Sequence, residues 1–314
     1  MQHLFYNPDL KQKYLDENPT SNKASMVFKN FKKYESEENV DLAEMSRETI
    51  IRIMNDIAYT EPNTAKNAIY AINSYKKWCC SINVPRAQEC YPTLNAKTDL
   101  DFVGAIQNKL YSSFDEFYDE LRGFYDFKQG DEAAPALCLF WLGFSLSEIC
   151  NLKTEFVDLN NRNIYDSSGH ILVGDIDPRI IEIFKIYKDT KAAVRTQHWD
   201  ITVYQLEAGY FMHKMVSKNS QKKIGPIRAH QISNRITAAA EESYQKYRVE
   251  SKISSASIAK SGALHRLYQL ETIGKVDFQN RDNKSLIERA YGSSGFQFAD
   301  IIFQYECYKK AFHL

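Results

Sequence analysis

The chain has 314 residues, 44% hydrophobic and 25% charged, enough apolar material for one large or two ordinary domains. Its 40 basic and 40 acidic side chains cancel, and a zero net charge neither requires nor rules out a polyanionic partner, because a local patch binds phosphates on a neutral protein. The cysteines (Cys79, Cys80, Cys90, Cys138, Cys150, Cys307) form no C-x-x-C pair, the N-terminus has no signal pattern and no apolar run approaches membrane-spanning length; the expectation is a soluble cytoplasmic protein with no disulfide frame, metal, cofactor or membrane span.

Residues 1–84 read as a helical bundle. Asn7-Pro8 opens a short helix to Leu15. The run Asn18-Pro19-Thr20-Ser21 ends it and caps a second helix holding Met26, Val27, Phe28, Phe31 and Tyr34. Ser46 precedes a third helix through Ile57, with Ile50, Ile53, Met54 and Ile57 on one face. Pro62 opens a fourth, with Ile69, Ile72, Tyr75 and Trp78 inward. The second helix carries Lys23, Lys29, Lys32 and Lys33 with no acid before Glu35; the fourth carries Asn63, Lys66, Asn67, Asn73, Lys76 and Lys77. Two acid-free polar faces in one small bundle suit phosphates, although each helix taken alone fits plain solvation slightly better.

Residues 85–97 hold two prolines and little periodicity, as an interdomain linker does, and 98–314 form a second domain. Helical patterns resume at Phe102–Leu110 and Phe114–Tyr125, and the stretch from Asp99 to Glu132 is acidic. From Ala134 to Lys153 the spacing predicts a buried helix with Leu137, Phe140, Trp141 and Phe144, a turn at Gly143, and a short helix capped by Ser145-Leu146-Ser147-Glu148. Turn signals at Asn160-Asn161 and Ser167-Ser168-Gly169 predict a small antiparallel sheet of two or three strands. Asp177-Pro178 starts a helix, and Trp199–Met215 reads as another. A basic loop with Lys218, Lys222 and Lys223 ends at Gly225-Pro226. The helix that begins near Ile227 presents Arg228, Gln231, Asn234 and Arg235, the side-chain types that read base edges, and the basic loop beside it favours nucleic acid over a merely exposed polar helix. Further helices are expected at Thr237–Val249, across S-G-A-L-H-R-L-Y-Q-L-E, and at a C-terminal segment with Ile301, Ile302, Tyr305 and Tyr308; residues 277–284 read as a loop.

This order of elements resembles the tyrosine recombinase (phage integrase) family, in which a helical core-binding domain precedes a mixed catalytic domain and the two clamp DNA. The family's T-G-L-R-x-S-E-L-x-x-L segment is matched by W-L-G-F-S-L-S-E-I-C-N-L, where Gly143, Ser147, Glu148, Ile149 and Leu152 keep the frame and Ser145 falls on the first catalytic arginine. The family's hairpin lysine has no counterpart at Ser167-Ser168-Gly169-His170. Its H-x-L-R box falls on Ser261 and Leu264 in one register, on Ala263 and Arg266 in another, and is incomplete in both. Tyr305 or Tyr308 stands where the nucleophile belongs. Y-N-P-D-L-K-Q-K-Y-L, N-A-I-Y-A-I-N-S-Y-K-K-W-C and Y-E-C-Y-K-K-A-F are most similar to the MrpR-type lytic-cycle repressors of SPbeta-like Bacillus phages.

The resemblance implies a mainly α, two-domain clamp with a small antiparallel sheet, built to hold DNA. Attack by a tyrosine on a phosphodiester needs cationic donors on the oxygens where charge develops and an acid for the leaving oxygen. With those groups missing, strand cleavage is not expected. The expected activity is sequence-specific repression of phage lysis–lysogeny genes in the host nucleoid, with operator DNA as the partner and a phage regulatory protein or peptide as an open second one. Lys23, Lys29, Lys32, Lys33, Asn63, Lys66, Asn67 and Lys76 are expected on the phosphates of one side, and Lys218, Lys222, Lys223, Arg228, Gln231, Asn234 and Arg235 on the other. Two rival expectations are a divergent working recombinase that uses Arg266 with Tyr305 or Tyr308, and an interaction protein that kept only the fold.

Overall fold

In a computed structural model the described residues are 4–19, 22–87, 94–123, 130–189, 192–196, 200–206, 209–217, 225–247, 251–278, 280–292 and 298–314. They are mainly helical and fall into two compact units, Met1–Lys109 with Phe296–Leu314, and Leu110–Gly295. Among them no helix is long and apolar enough to cross a membrane, and no group of three His, Cys, Asp or Glu side chains is placed to hold a metal ion.

The first unit contains α1 (Pro8–Glu17), α2 (Asn22–Glu38), α3 (Arg47–Ile57), α4 (Pro62–Ser81), α5 (Ala96–Asp99), α6 (Phe102–Lys109) and the C-terminal α14 (Phe298–Phe312). The units divide differently from the sequence boundaries at 84 and 98. Phe102 and Phe303 meet edge to face at 5.4 Å, and the apolar faces of α6 and α14 bury each other, so both helices belong with the bundle. The Ser46 hydroxyl accepts from Thr49 N at 3.2 Å and starts α3 where the spacing predicts. Tyr14 centres an aromatic core, with ring centroids 5.9 Å from Phe28 and 5.3 Å from both Tyr75 and Trp78.

A polar network lies beside that core. The fully buried Lys11 ammonium donates to both carboxylate oxygens of the fully buried Glu35. Glu35 also accepts from Leu42 N at 2.8 Å, and Asp41 accepts from the Tyr75 hydroxyl at 3.0 Å and from Ala43 N at 2.8 Å. Lys76 donates to the carbonyls of Leu42, Ala43 and Met45 at 3.3, 2.9 and 2.7 Å. Charges from α1, α2 and α4 thereby hold the backbone that joins α2 to α3, a connection that otherwise buries unsatisfied peptide groups.

The second unit is built around α8 (Gly130–Trp141), whose residues 133–140 are all buried. A helix apolar on every side must be enclosed. The helices α10 (Pro178–Asp189), α11 (Ala229–Tyr247) and α12 (Ser255–Thr272) pack on it, with α9 (Leu146–Asn151) after the turn; α7 (Phe114–Leu121) and α13 (Lys284–Tyr291) flank α12. At Gly262 a Cβ would stand 2.1 Å from the Trp141 carbonyl oxygen, so only glycine allows α12 this close to α8. The strands β1 (Val157–Asp158), β2 (Asn163–Tyr165) and β3 (Ile171–Val173) form the expected antiparallel sheet in that order, with Val157 opposite Ile164 and Ile164 opposite Val173.

Two helical expectations are corrected. Trp199–Met215 is not a helix: β5 (Asp200–Leu206) pairs with β4 (Ala192–Thr196) and β6 (Lys214–Ser217) in a second antiparallel sheet. The β-branched and aromatic run Ile201-Thr202-Val203-Tyr204 prefers the extended chain. The helix near Ile227 and the one at Thr237–Val249 are one continuous α11, because no Gly or Pro interrupts it. The expected loop at 277–284 ends in a short 3-10 turn at Arg281–Asn283, and α13, which the sequence reading did not name, follows it with Ile287 and Tyr291 buried four residues apart.

Removing one partner of the Lys11–Glu35 pair strands a buried charge. Lys11→Met is expected to cost about 3–5 kcal/mol in urea unfolding, and the double change Lys11→Met with Glu35→Leu to recover much of it, which a double-mutant cycle measures.

Candidate nucleic-acid interface

The second unit has a cleft of about 840 Å³ at the place the recombinase motif occupies. Trp141, Gly143, Phe144 and Glu148 line one side, Leu172 to Pro178 another, and His265, Arg266, Gln269, Arg289 and Ala290 a third. Gly143 makes the turn between α8 and α9 at φ 100°, a backbone conformation L side chains rarely adopt, and a Cβ there would meet the Arg266 guanidinium at 2.8 Å.

Glu148 and Arg266 of this cleft hold helix ends. The Ser145 hydroxyl accepts from Glu148 N at 3.3 Å while the Glu148 carboxylate accepts from Ser145 N at 2.7 Å, a reciprocal capping box on α9. Arg266 Nε donates to the Ala290 carbonyl at 3.1 Å and Nη1 to the Trp141 carbonyl. Those carbonyls end α13 and α8, so one guanidinium neutralises the negative ends of two helix dipoles. Burial lowers the Arg266 pKa to about 10, which leaves it charged at neutral pH. Burial also lowers the His265 pKa, so that ring is neutral at the same pH. Arg179 holds Asp177 at 2.8 Å and Asp115 at 2.7 Å and lies over the Phe114 ring. Ser261, in one register of the His–Arg box, is fully buried; its hydroxyl donates to Ser257 O at 2.7 Å and accepts from Tyr111 N at 2.9 Å. Tyr305 and Tyr308 are both fully buried within the first unit, where Tyr308 packs on Phe312.

The candidate DNA contacts divide sharply. In the first unit Lys23, Lys29, Lys33 and Asn63 are exposed, and Lys32 and Asn67 are half-buried. Lys23 donates to the Asn67 side chain at 2.7 Å and so joins the polar faces of α2 and α4; Lys33 is 3.9 Å from Glu37. Lys66 is exposed but ion-paired to Asp300 at 3.2 Å, where Lys97 also binds at 2.8 Å. Burial pushes the Asp300 carboxyl up, and the two lysines outweigh it and hold the pKa below the ordinary range. Lys76 is corrected: it is 1% exposed and bound to backbone carbonyls, on the inner side of α4, and is no phosphate contact.

On α11 the correction falls on Arg235. It is 4% exposed, because it lies on the buried stripe with Ile232, Ile236 and Ala239 that faces α8 and α9. Gln231 is half-buried and its oxygen accepts from Arg228 N at 3.1 Å, capping the helix start. Arg228 and Asn234 remain on the surface. Lys218, Lys222 and Lys223 lie outside the described residues. Sequence reasoning did not single out His265 or Arg289 in the cleft, nor the exposed Tyr70 on the helix face that carries Lys66, and it placed the exposed Met26 with the apolar residues of its helix.

Sequence and structure thus define a mainly helical protein of two units, one bearing a basic, asparagine-rich helix pair and the other a cleft in which Arg266 is held by backbone carbonyls. Residues 5–81, most of the first unit's contiguous segment, match the family model for MrpR, N-terminal core-binding domain. The sequence has no match among curated proteins. Solved structures similar to this chain include the crystal structure of XerA recombinase (14% identity, 97% of this chain and 95% of that one, TM-score 0.40). They also include the Tn1549 transposon integrase in complex with a circular intermediate DNA (12% identity, 95% and 93%, TM-score 0.43) and with transposon right end DNA (12%, 95% and 93%, 0.41).

Arg266→Ala leaves the Trp141 and Ala290 carbonyls without their shared donor. It is expected to lower the unfolding free energy of the second unit by about 2–4 kcal/mol in urea titration, with Arg266→Lys intermediate because an ammonium cannot span both helix ends as a planar fork does.

Proposed function

We propose that this protein is a sequence-specific DNA-binding transcriptional repressor controlling phage lysis–lysogeny, acting on operator DNA in the bacterial cytoplasm through a recombinase-type scaffold that does not cut. The observation that carries this reading is the state of the cleft. Ser145 stands where the resemblance puts the first catalytic arginine and is engaged in a capping box, while Arg266 is engaged by two helix ends. Ser145 carries no charge and Arg266 spends its Nε and Nη1 donors on those helix ends, which leaves the cleft poorly equipped to stabilise a pentavalent phosphate, the largest requirement of the cleavage reaction. The buried Tyr305 and Tyr308 side chains support the same view, since a nucleophile must reach the backbone phosphate.

DNA retention is supported by the MrpR core-binding match over residues 5–81 and by the exposed lysines of α2, which offer several phosphate contacts without a nearby acid until Glu35. Phosphate contacts set position and affinity; base reading in the second unit falls to Arg228 and Asn234.

Footprinting of bound sites in the natural host tests the reading, with a repeated motif upstream of phage promoters as the expected result. Arg228→Ala and Asn234→Ala should each weaken operator binding by roughly 1–3 kcal/mol and relax specificity; unchanged affinity in the double variant would remove α11 from the interface. Nicked suicide substrates should trap no covalent adduct, and Ser145→Arg should gain no cleavage, since a new side chain there breaks the α9 cap without supplying the missing lysine or histidine. An adduct that a Tyr→Phe change abolishes would overturn the proposal.

A further inference from the structure

Tyr70 is 77% exposed and Met26 is 48% exposed, and both stand in the middle of polar helix faces. On α4 the exposed or half-exposed stripe runs Asn63, Lys66, Asn67, Tyr70, Asn73 and Lys77. On α2 Met26 lies between Lys23 and the neighbouring Lys29 and Asn30. The two helices run in the same direction, because Lys23 bonds Asn67 at 2.7 Å near their starts and Phe28 meets Tyr75 at 4.8 Å further along. Met26 and Tyr70 therefore each stand one turn beyond the Lys23–Asn67 bridge, on the solvent side of the pair. Tyr70 also borders a hollow of about 450 Å³ with Lys66, Asn73 and Leu94, so its ring has open space beside it.

An isolated exposed apolar side chain is ordinary. Two large ones among lysines and asparagines, where the acid paired to Lys66, Asp300, is itself buried, are arranged as a recognition surface is, with an apolar middle and charges around it. The charges fit a polyanion. What an aromatic ring and a thioether add is contact with the one apolar group that duplex DNA displays in its major groove, the C5-methyl of thymine.

We propose that Tyr70 and Met26 are specificity-determining contacts of the α2–α4 face, reading thymine methyl groups in the major groove of duplex DNA while the surrounding lysines hold its phosphates. The inference rests on the DNA-binding reading above and assigns to the first unit a share in base selection, beyond phosphate anchoring. Each residue is exposed, so its replacement leaves the folded core intact, and unchanged thermal unfolding of the variants checks this.

The test selects bound sequences from a randomised duplex pool with the full chain, then compares Tyr70→Ala, Met26→Ala and Lys29→Ala on the selected duplex. Deoxyuridine, which lacks only the methyl group, is substituted for each thymidine in turn. The expected result is that one or two such substitutions weaken the unmodified protein by roughly fivefold or more, and that the same substitutions no longer matter to the variant lacking the contacting side chain. Lys29→Ala should instead weaken all sequences alike and reduce the salt slope by about 1. If the protein selects a sequence but neither variant alters affinity or thymine dependence, the assignment is wrong while the DNA-binding reading stands. If the protein selects no sequence and shows no salt-sensitive binding, both fall.

Discussion

The second unit depends on one guanidinium. Arg266 reaches from α12 to the last carbonyls of α8 and α13, and the short Gly143 turn exists in the space this geometry leaves. Two helix C-termini that converge in a protein interior leave several carbonyls unpaired, and their partial negative charges repel. A planar cation between them removes both problems. The same contact commits the Nε and Nη1 donors of that guanidinium to backbone, which fixes where the cation stands in the cleft.

The first unit solves a related problem with different groups. Its α2–α3 connection is buried, and Lys11, Glu35, Asp41 and Lys76 satisfy the peptide groups that water would otherwise serve. Such a network is costly to desolvate and confers no large net stability, but it allows a single arrangement of α1, α2 and α4. Burial drives the Glu35 pKa up to about 7 against the pull of Lys11, a measure of how fully this pair has left water. A fixed arrangement of α2 relative to α4 is what a recognition face formed from both helices requires.

Much of this architecture was legible in the residues. The caps at Ser46 and Ser145, Pro62 at the start of α4, and the apolar period of α8 each marked an element correctly, because they act through local backbone geometry that a few neighbouring residues determine. Where competing periods overlapped, the reading failed. Trp199–Met215 has enough apolar residues for a helix, and only pairing with strands distant in the chain selects the extended form.

Side-chain identity by itself determined which residues were able to meet DNA: lysines, asparagines and arginines on helices with few acids. Tertiary structure alone decided which of them reach the surface. Lys76 and Arg235 have the same chemistry as Lys29 and Arg228, but a rotation of one helix position turns the first pair into the core and leaves the second in water. Met26 was moved the other way, from expected packing to open surface. The physical reason is that charge and hydrophobicity belong to a residue, whereas exposure belongs to the packing of helices far apart in sequence.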